Sequence, residues 1–140
     1  MELASLYGHA IVAIVIYAFA ANIMNAAVGI NKGNANMEPG ADFEPAGYDN
    51  PKWRLDRAYM NTIEMGMFSI ALIVGAILSG ASPFWVNLLA SVVLVLRFAT
   101  LFVYMRGIGK AYGGIRTGFA VLTAICNLGL LLLALVAVFA

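Results

Sequence analysis

The sequence predicts an all-α membrane protein, a bundle of four transmembrane helices in a single domain over residues 1–140, and two observations carry that prediction. Of the 140 residues, 63% are hydrophobic and 11% are charged, which leaves more apolar surface than a soluble domain of this size can bury. The apolar residues also fall into four runs, each long enough to cross a hydrocarbon core of about 30 Å. We therefore expect the chain to lie in a lipid bilayer.

The first predicted span covers residues 5–30 and contains many small residues, among them Ala10 and Ala13. Small side chains allow helices to approach closely in lipid. Glu2 is the only charged residue before Lys32, so the segment lacks the basic region that begins a cleaved signal peptide. We expect it to be retained as a helix.

A loop is predicted between the first and second spans. Residues 31–53 are rich in Gly, Pro, Asn and acidic residues and have too little apolar content for a second domain. Asp49, Asn50 and Pro51 mark the approach to the second span, which is predicted over residues 58–80.

The third span is predicted over residues 83–106 and the fourth over residues 116–140, with a loop of residues 107–115 between them. His9 and Cys126 lie on separate spans, so they provide no acceptable set of nitrogen and sulfur ligands, and no metal site is expected. Four aromatic residues are interpreted as residues of the membrane interface, where tyrosine and tryptophan are enriched; they are Tyr7, Tyr17, Trp53 and Trp85.

The positions of the basic residues predict how the chain is oriented across the membrane. Apart from Arg97, all of them lie in or beside the two longer loops: Lys32, Lys52, Arg54, Arg57, Arg106, Lys110 and Arg116. The positive-inside rule places loops 31–53 and 107–115 in the cytoplasm and both termini outside. The net charge is only +1, and no basic patch remains once these charges are assigned to topology, so nucleic acid is not an expected partner.

The second span begins with the segment RAYMNTIE, residues 57–64. Arg57, Asn61 and Glu64 stand at positions i, i+4 and i+7, which places them on one face of a helix that enters the bilayer. An ionisable residue within a membrane span costs about 2.5–3.5 kcal/mol on insertion scales, so such a residue is a functional-site hypothesis by default.

Polar residues at helical spacing also occur on the third and fourth spans: Arg97, Thr100 and Tyr104 on one, and Arg116, Thr123 and Asn127 on the other. Counted from the cytoplasmic ends of their spans, Glu64 and Arg97 lie at similar depths with opposite charges. Left unpaired they would together cost about 5–7 kcal/mol. A structural ion pair between Glu64 and Arg97 is therefore predicted.

Two interpretations of these polar faces remain open on the residues alone. In the first, the polar side chains only hold the helices together and mark the topology. In the second, they converge near the cytoplasmic leaflet to bind a polar ligand. A proton-coupled multidrug transporter, which would carry its membrane carboxylate in the first span, is disfavoured because residues 5–30 contain no acidic residue.

A resemblance to a known family favours the second interpretation. Four spans in 140 residues, the RAYMNTIE motif at the start of the second span, and an arginine seven residues before a tyrosine on the third resemble the membrane-associated proteins in eicosanoid and glutathione metabolism, the MAPEG family. The residues that carry the resemblance are Arg57, Ala58, Asn61, Glu64, Arg97 and Tyr104.

The resemblance implies a homotrimer of four-helix subunits that binds glutathione, or another low-molecular-weight thiol, near the cytoplasmic side. By position, Asn61, Glu64 and Tyr104 would hold the tripeptide, with Arg57 near one of its carboxylates. Arg116, followed by Thr117, would be catalytic and stabilise the thiolate. The chemistry agrees, because arginine suits carboxylates and a nearby guanidinium lowers a thiol pKa from about 8.5.

The resemblance also implies which activities not to expect. Met60 and Thr100 stand where prostaglandin synthases of the family have an arginine and a histidine, and Met65 stands where a leukotriene synthase has a tyrosine. Prostaglandin and leukotriene synthesis are therefore not expected.

Lys32 is a candidate for the basic residue that the family places at the end of the first span.

A bacterial-type glutathione transferase or peroxidase in the inner membrane, acting on lipophilic electrophiles or hydroperoxides, is the expected function. The alternative is a non-catalytic lipid-binding protein or a structural subunit of a larger complex.

Overall fold

The computed structural model describes residues 2–139 of the chain. Four of its helices are long and apolar enough to cross a membrane, which confirms the predicted four-helix fold. The helices, in chain order, are α1 (Glu2–Leu6), α2 (Gly8–Asn34), α3 (Pro51–Leu78), α4 (Pro83–Arg106) and α5 (Ile115–Phe139). The last residue of the predicted fourth span, Ala140, lies outside the described residues.

The first loop is shorter than predicted because α2 and α3 both extend beyond their apolar stretches. Helix α2 continues to Asn34, and α3 begins at Pro51. The side chain of Asn50 accepts hydrogen bonds from the backbone N–H groups of Lys52 and Trp53, as an N-cap residue does, and Pro51 suits the first helical position. Hydropathy marks the part of a helix that lies in lipid, so it missed these polar ends.

The short helix α1 is joined to α2 at Tyr7, and α4 holds this junction in place. Asn87 of α4 donates from Nδ2 to the carbonyl of Leu6 at 2.7 Å and accepts from the backbone N–H of Ala10 at 2.9 Å. Tyr7 donates its hydroxyl hydrogen bond to the carbonyl of Ala81 and is buried. The Tyr7 ring therefore packs inside the bundle, where its hydroxyl is satisfied by the protein.

Helix α4 is central to the bundle and packs against α2, α3 and α5, while α3 also packs against α2 and α5. At the end near the α3–α4 turn, the core is made largely of alanine and branched aliphatic side chains, which allow close helix contact. It includes Ala10, Ala13, Ile73, Ala76, Val86, Ala90 and Leu130. At the opposite end a second cluster contains Met24, Ala58 and Tyr104. The outer faces of the helices expose large apolar side chains, as lipid contact requires.

Gly66 of α3 lies against the ring of Tyr17 of α2, and its replacement gives a test of the packing. A Cβ atom at Gly66 would lie 2.2 Å from Cε1 of Tyr17, whose hydroxyl donates to the carbonyl of Thr62 at 2.7 Å. We expect Gly66→Ala to destabilise the bundle by about 1–3 kcal/mol through overpacking. Thermal unfolding in detergent measures this effect.

The matched control is Gly75→Ala on the same helix. A Cβ atom at Gly75 meets no atom within 4 Å, and alanine is favoured over glycine in a helix by about 0.5–1 kcal/mol. Gly75→Ala should therefore be neutral or stabilising. A Gly66→Ala variant as stable as the Gly75→Ala variant would contradict the contact with Tyr17.

Candidate functional site

A polar cavity of about 320 Å³ lies between α3, α4 and α5, toward the end of the bundle that carries the two loops. This volume is in the range of small-molecule sites. Six of the seven predicted site residues line it: Arg57, Asn61 and Glu64 from α3, Tyr104 from α4, and Arg116 and Thr117 from α5. Thr100 and Ala120 complete the lining, whereas Thr123 and Asn127, deeper on α5, are not among the lining residues.

The packing of α3 explains why its polar face meets the cavity. Ala58 and Thr62 are buried on another face of the helix. The Thr62 hydroxyl donates to the Ala58 carbonyl at 2.8 Å, and its own carbonyl accepts from Tyr17 of α2. Burial of this face against α2 leaves Arg57, Asn61 and Glu64 on the side toward α4 and α5.

Arg116 is held by two aromatic rings and a carbonyl. Its guanidinium carbon lies 4.4 Å from the ring centroid of Tyr104 and 5.8 Å from that of Tyr48. Its Nη2 donates to the carbonyl of Ala111 at 2.7 Å. Cation–π contacts of this kind orient a guanidinium while its positive charge is kept. The first turn of α5 therefore presents a fixed cation at the cavity.

Tyr48 does not line the cavity but contacts two residues that do, Tyr104 and Arg116, and the sequence did not predict this role. It lies in the first loop, its ring centroid is 5.9 Å from that of Tyr104, and its hydroxyl donates to the carbonyl of Ile108 at 3.3 Å. Arg54 fixes its backbone by donating from Nη1 to the Tyr48 carbonyl at 2.6 Å. No sequence signal indicates this position, because the contact depends on how the loop folds back onto α4.

The Arg54 guanidinium contacts the end of α4 as well as the first loop. Its Nε donates to the carbonyl of Met105 at 3.3 Å. A Cβ atom at Gly107, which has a φ of +66°, would lie 2.9 Å from the Arg54 guanidinium carbon. Both the left-handed backbone and the lack of space favour glycine at position 107. The end of α4 thus anchors the loop that carries Tyr48.

The predicted ion pair between Glu64 and Arg97 is not formed. Arg97 is 2% exposed and donates from Nη2 to the carbonyl and to Oδ1 of Asn61, at 3.0 and 2.8 Å, and from Nε to the hydroxyl of Tyr17 at 3.3 Å. Tyr17 is thus buried inside the bundle, not interfacial as predicted. Similar depth in the membrane did not bring Glu64 into contact with Arg97. Asn61 is the residue of α3 that faces Arg97, and Glu64 lies roughly 60° around the helix axis from Asn61.

Within residues 2–139 the ion pair that does form joins Lys32 of α2 to Asp56 of α3, with Nζ 3.1 Å from Oδ2. The Lys32 ammonium also lies 5.7 Å from the ring centroid of Phe43 in the first loop. Lys32, suggested as the basic residue at the end of the first span, is therefore engaged inside its own subunit. It lines a different cavity from the one that contains Arg116.

The charge and exposure of the cavity residues limit what it can bind. Two guanidinium groups, from Arg57 and Arg116, and one carboxylate, from Glu64, line it, which favours a ligand with net negative charge. Arg57, Glu64 and Thr117 are exposed in the single subunit. The cavity is therefore open on one side of the bundle.

Comparison with known proteins gives one result that covers nearly the whole chain. The family model described as the MAPEG family matches residues 6–136, a range that includes every residue of the polar cavity. No curated protein gives a significant match to the chain.

Proposed function

The chain belongs to the MAPEG family, and on this premise we propose that the polar cavity binds glutathione, or another low-molecular-weight thiol, and presents it as a thiolate. One observation carries the proposal. Glu64, a carboxylate on a membrane-spanning helix, makes no ion pair within residues 2–139 and lines a cavity with two guanidinium groups. If the polar residues served only to hold helices together, Glu64 would be expected to pair with a neighbouring cation.

The cavity residues match the chemistry of the tripeptide. Glutathione carries two carboxylates, one ammonium group and one thiol. Arg57 suits a carboxylate, since a guanidinium can make two parallel hydrogen bonds to it. Glu64 suits the ammonium, and Asn61 and Tyr104 supply neutral hydrogen-bonding groups.

Arg116 and Thr117 are proposed as the catalytic residues. The Arg116 guanidinium stabilises negative charge on the sulfur, which lowers the thiol pKa, and the Thr117 hydroxyl offers a further donor. In a transferase reaction the thiolate forms a bond to an electrophilic carbon, and the leaving group departs with its electron pair. In a peroxidase reaction the thiolate sulfur bonds to one oxygen of the hydroperoxide as the O–O bond breaks, and the alkoxide leaves and is protonated to an alcohol. A second glutathione thiol then reacts with the resulting sulfenic acid to give glutathione disulfide and water. A lipophilic substrate would reach the sulfur from the bilayer.

We propose that the protein is a homotrimer in which a neighbouring subunit covers the open side of the cavity. Arg57 and Glu64 are exposed in the single subunit, and charged side chains on a membrane-spanning helix are costly if they face lipid. A second subunit would remove them from lipid and close the site around the ligand. We place the protein in the bacterial inner membrane, with both loops of the cavity end in the cytoplasm and both termini outside.

Calorimetric titration of the detergent-purified protein with glutathione tests this function, and Glu64→Gln gives the sharpest variant. Glutamine keeps the shape of the side chain but loses the charge that the ligand ammonium needs. We expect glutathione affinity to fall about 10- to 100-fold, with little change in thermal stability because Glu64 makes no ion pair within residues 2–139 and glutamine has nearly the same shape.

Glutaryl-cysteinylglycine, which is glutathione without its ammonium group, is the matched ligand control. Its weaker binding should be the same in the wild-type protein and in Glu64→Gln. Binding of no thiol by the wild-type protein would contradict the proposed function. Tight glutathione binding without ionisation of the thiol would instead identify a non-catalytic member of the family.

A further inference from the structure

We propose that Arg97 is a positioning residue that fixes the side-chain amide of Asn61 so that its NH₂ group, and not its oxygen, faces the cavity. Asn61 can then only donate hydrogen bonds to the ligand, so it selects a carboxylate or carbonyl oxygen. This inference rests on the proposed function, because it specifies which ligand groups the same cavity accepts.

The Arg97 guanidinium is held rigidly. It is 2% exposed, and its Nη2 contacts Asn61 through both the backbone carbonyl, at 3.0 Å, and Oδ1, at 2.8 Å. Its Nε donates to the Tyr17 hydroxyl at 3.3 Å, and that hydroxyl donates to the Thr62 carbonyl at 2.7 Å. Contacts on two sides leave the guanidinium little freedom to move away from the Asn61 amide.

The orientation of the amide follows from the chemistry of the two groups. A guanidinium carries five N–H donors, has no acceptor and stays protonated in proteins. The amide atom that faces it must therefore be the oxygen, because a flipped amide would oppose N–H to N–H and leave a buried donor unsatisfied. The Nδ2 of Asn61 then lies on the opposite side of the amide, and Asn61 lines the cavity.

The charge of Arg97 strengthens this arrangement. Its Nη1 is buried and has no hydrogen-bond partner within residues 2–139, and no carboxylate there lies within ion-pair distance. The positive charge is therefore not compensated locally, and it polarises the Asn61 amide toward a stronger donor. One helical turn along α3, Glu64 offers only acceptors. The two residues thus require a ligand acceptor at Asn61 and a ligand donor at Glu64.

Asn61→Asp tests the orientation of the amide, because the two orientations predict different effects on glutathione affinity. Aspartate would place a carboxylate oxygen against Arg97, so thermal stability should be kept or raised. It would also replace the donor that faces the cavity by an acceptor, so glutathione affinity should fall about 10- to 100-fold. If the amide oxygen of the wild-type protein faced the ligand instead, Asn61→Asp would bind glutathione as well as, or better than, the wild type.

Asn36→Asp in the first loop is the control for added charge, since Asn36 is exposed and lies outside the cavity. It should leave affinity unchanged. A large loss of stability in Asn61→Asp, or unchanged affinity in a stable Asn61→Asp, would overturn the proposal.

A second pair of variants tests Arg97 itself. Lysine at position 97 has only donors, so the Asn61 amide must still turn its oxygen toward residue 97. Glutamine can accept a hydrogen bond from the Asn61 NH₂ group, so the amide is free to turn. Glutathione affinity should therefore be lost in Arg97→Gln and largely rescued in Arg97→Lys. Equal affinity in the two variants would contradict a role through the amide.

The wild-type titration separates failure of this inference from failure of the proposed function. If the wild-type protein binds no thiol, the proposed function fails. The amide orientation would then be decided by the thermal stability of Asn61→Asp and by side-chain amide NMR of ¹⁵N-labelled protein. The Asn61 NH₂ protons should exchange readily with water if they face the cavity, which must admit a water-soluble thiol, and slow exchange would overturn the assignment.

Discussion

Arg116→Ala should raise the pKa of the bound thiol toward its free value of about 8.5 and reduce turnover at neutral pH by about 10²- to 10³-fold. The guanidinium favours the charged form of the sulfur, so its removal shifts thiol ionisation to higher pH. The activity of the variant should accordingly recover in part as the pH is raised. Affinity for glutathione should change less, because the interaction is greatest with the thiolate.

Arg106→Ala is the matched control for this prediction. Arg106 lies at the end of α4, is exposed, and has its guanidinium 5.5 Å from the ring centroid of Phe102. It does not line the cavity. Ultraviolet titration of bound glutathione should show a shifted thiol pKa in Arg116→Ala and an unchanged one in Arg106→Ala. A shift confined to Arg106→Ala would assign the thiolate-stabilising arginine to α4 instead of α5.

Lys32→Met should lower the free energy of unfolding by about 3 kcal/mol, because it leaves Asp56 without its partner. The Asp56 side chain is 6% exposed and that of Lys32 is 18% exposed, so water replaces the lost contact only in part. Removal of one member of a buried ion pair typically costs about 3–5 kcal/mol, and the partial exposure of Lys32 favours the lower end. Denaturant unfolding in detergent measures the loss.

The double variant Lys32→Met with Asp56→Leu distinguishes the cost of an unpaired charge from the cost of altered packing. Replacement of a whole buried ion pair by apolar residues is often neutral or stabilising, so the double variant should regain most of the stability lost in Lys32→Met. Glutathione affinity should be near wild type in it, since neither residue lines the Arg116 cavity. A double variant no more stable than Lys32→Met would contradict the attribution of the loss to an unpaired Asp56 carboxylate.

The fold was predictable because a chain that spans a membrane must contain long apolar runs. Apolar runs of sufficient length gave the four spans, and helical periodicity alone placed Arg57, Asn61 and Glu64 on a common face. That the cavity also contains Tyr104 and Arg116 was predicted from family resemblance. The structure adds that these residues line one cavity, which periodicity within single helices could not establish.

The partner of Arg97 was not predictable by the same means. Depth along a helix follows from counting residues, but rotation about the helix axis depends on packing against neighbouring helices. Gly66, which admits the ring of Tyr17, sets that packing between α2 and α3. Tyr17 was consequently assigned to the interface when it in fact contacts Arg97. Tyr48 was missed because irregular loops have no periodicity from which a contact could be inferred.

The most direct test of the central claim is the ultraviolet difference spectrum of glutathione bound to the wild-type protein at neutral pH, with S-methylglutathione as the blank. We expect thiolate absorbance in proportion to bound glutathione, at a pH well below the free thiol pKa of about 8.5. Bound glutathione that remains a neutral thiol up to that pH would contradict the assignment of the Arg116 cavity as a thiolate site.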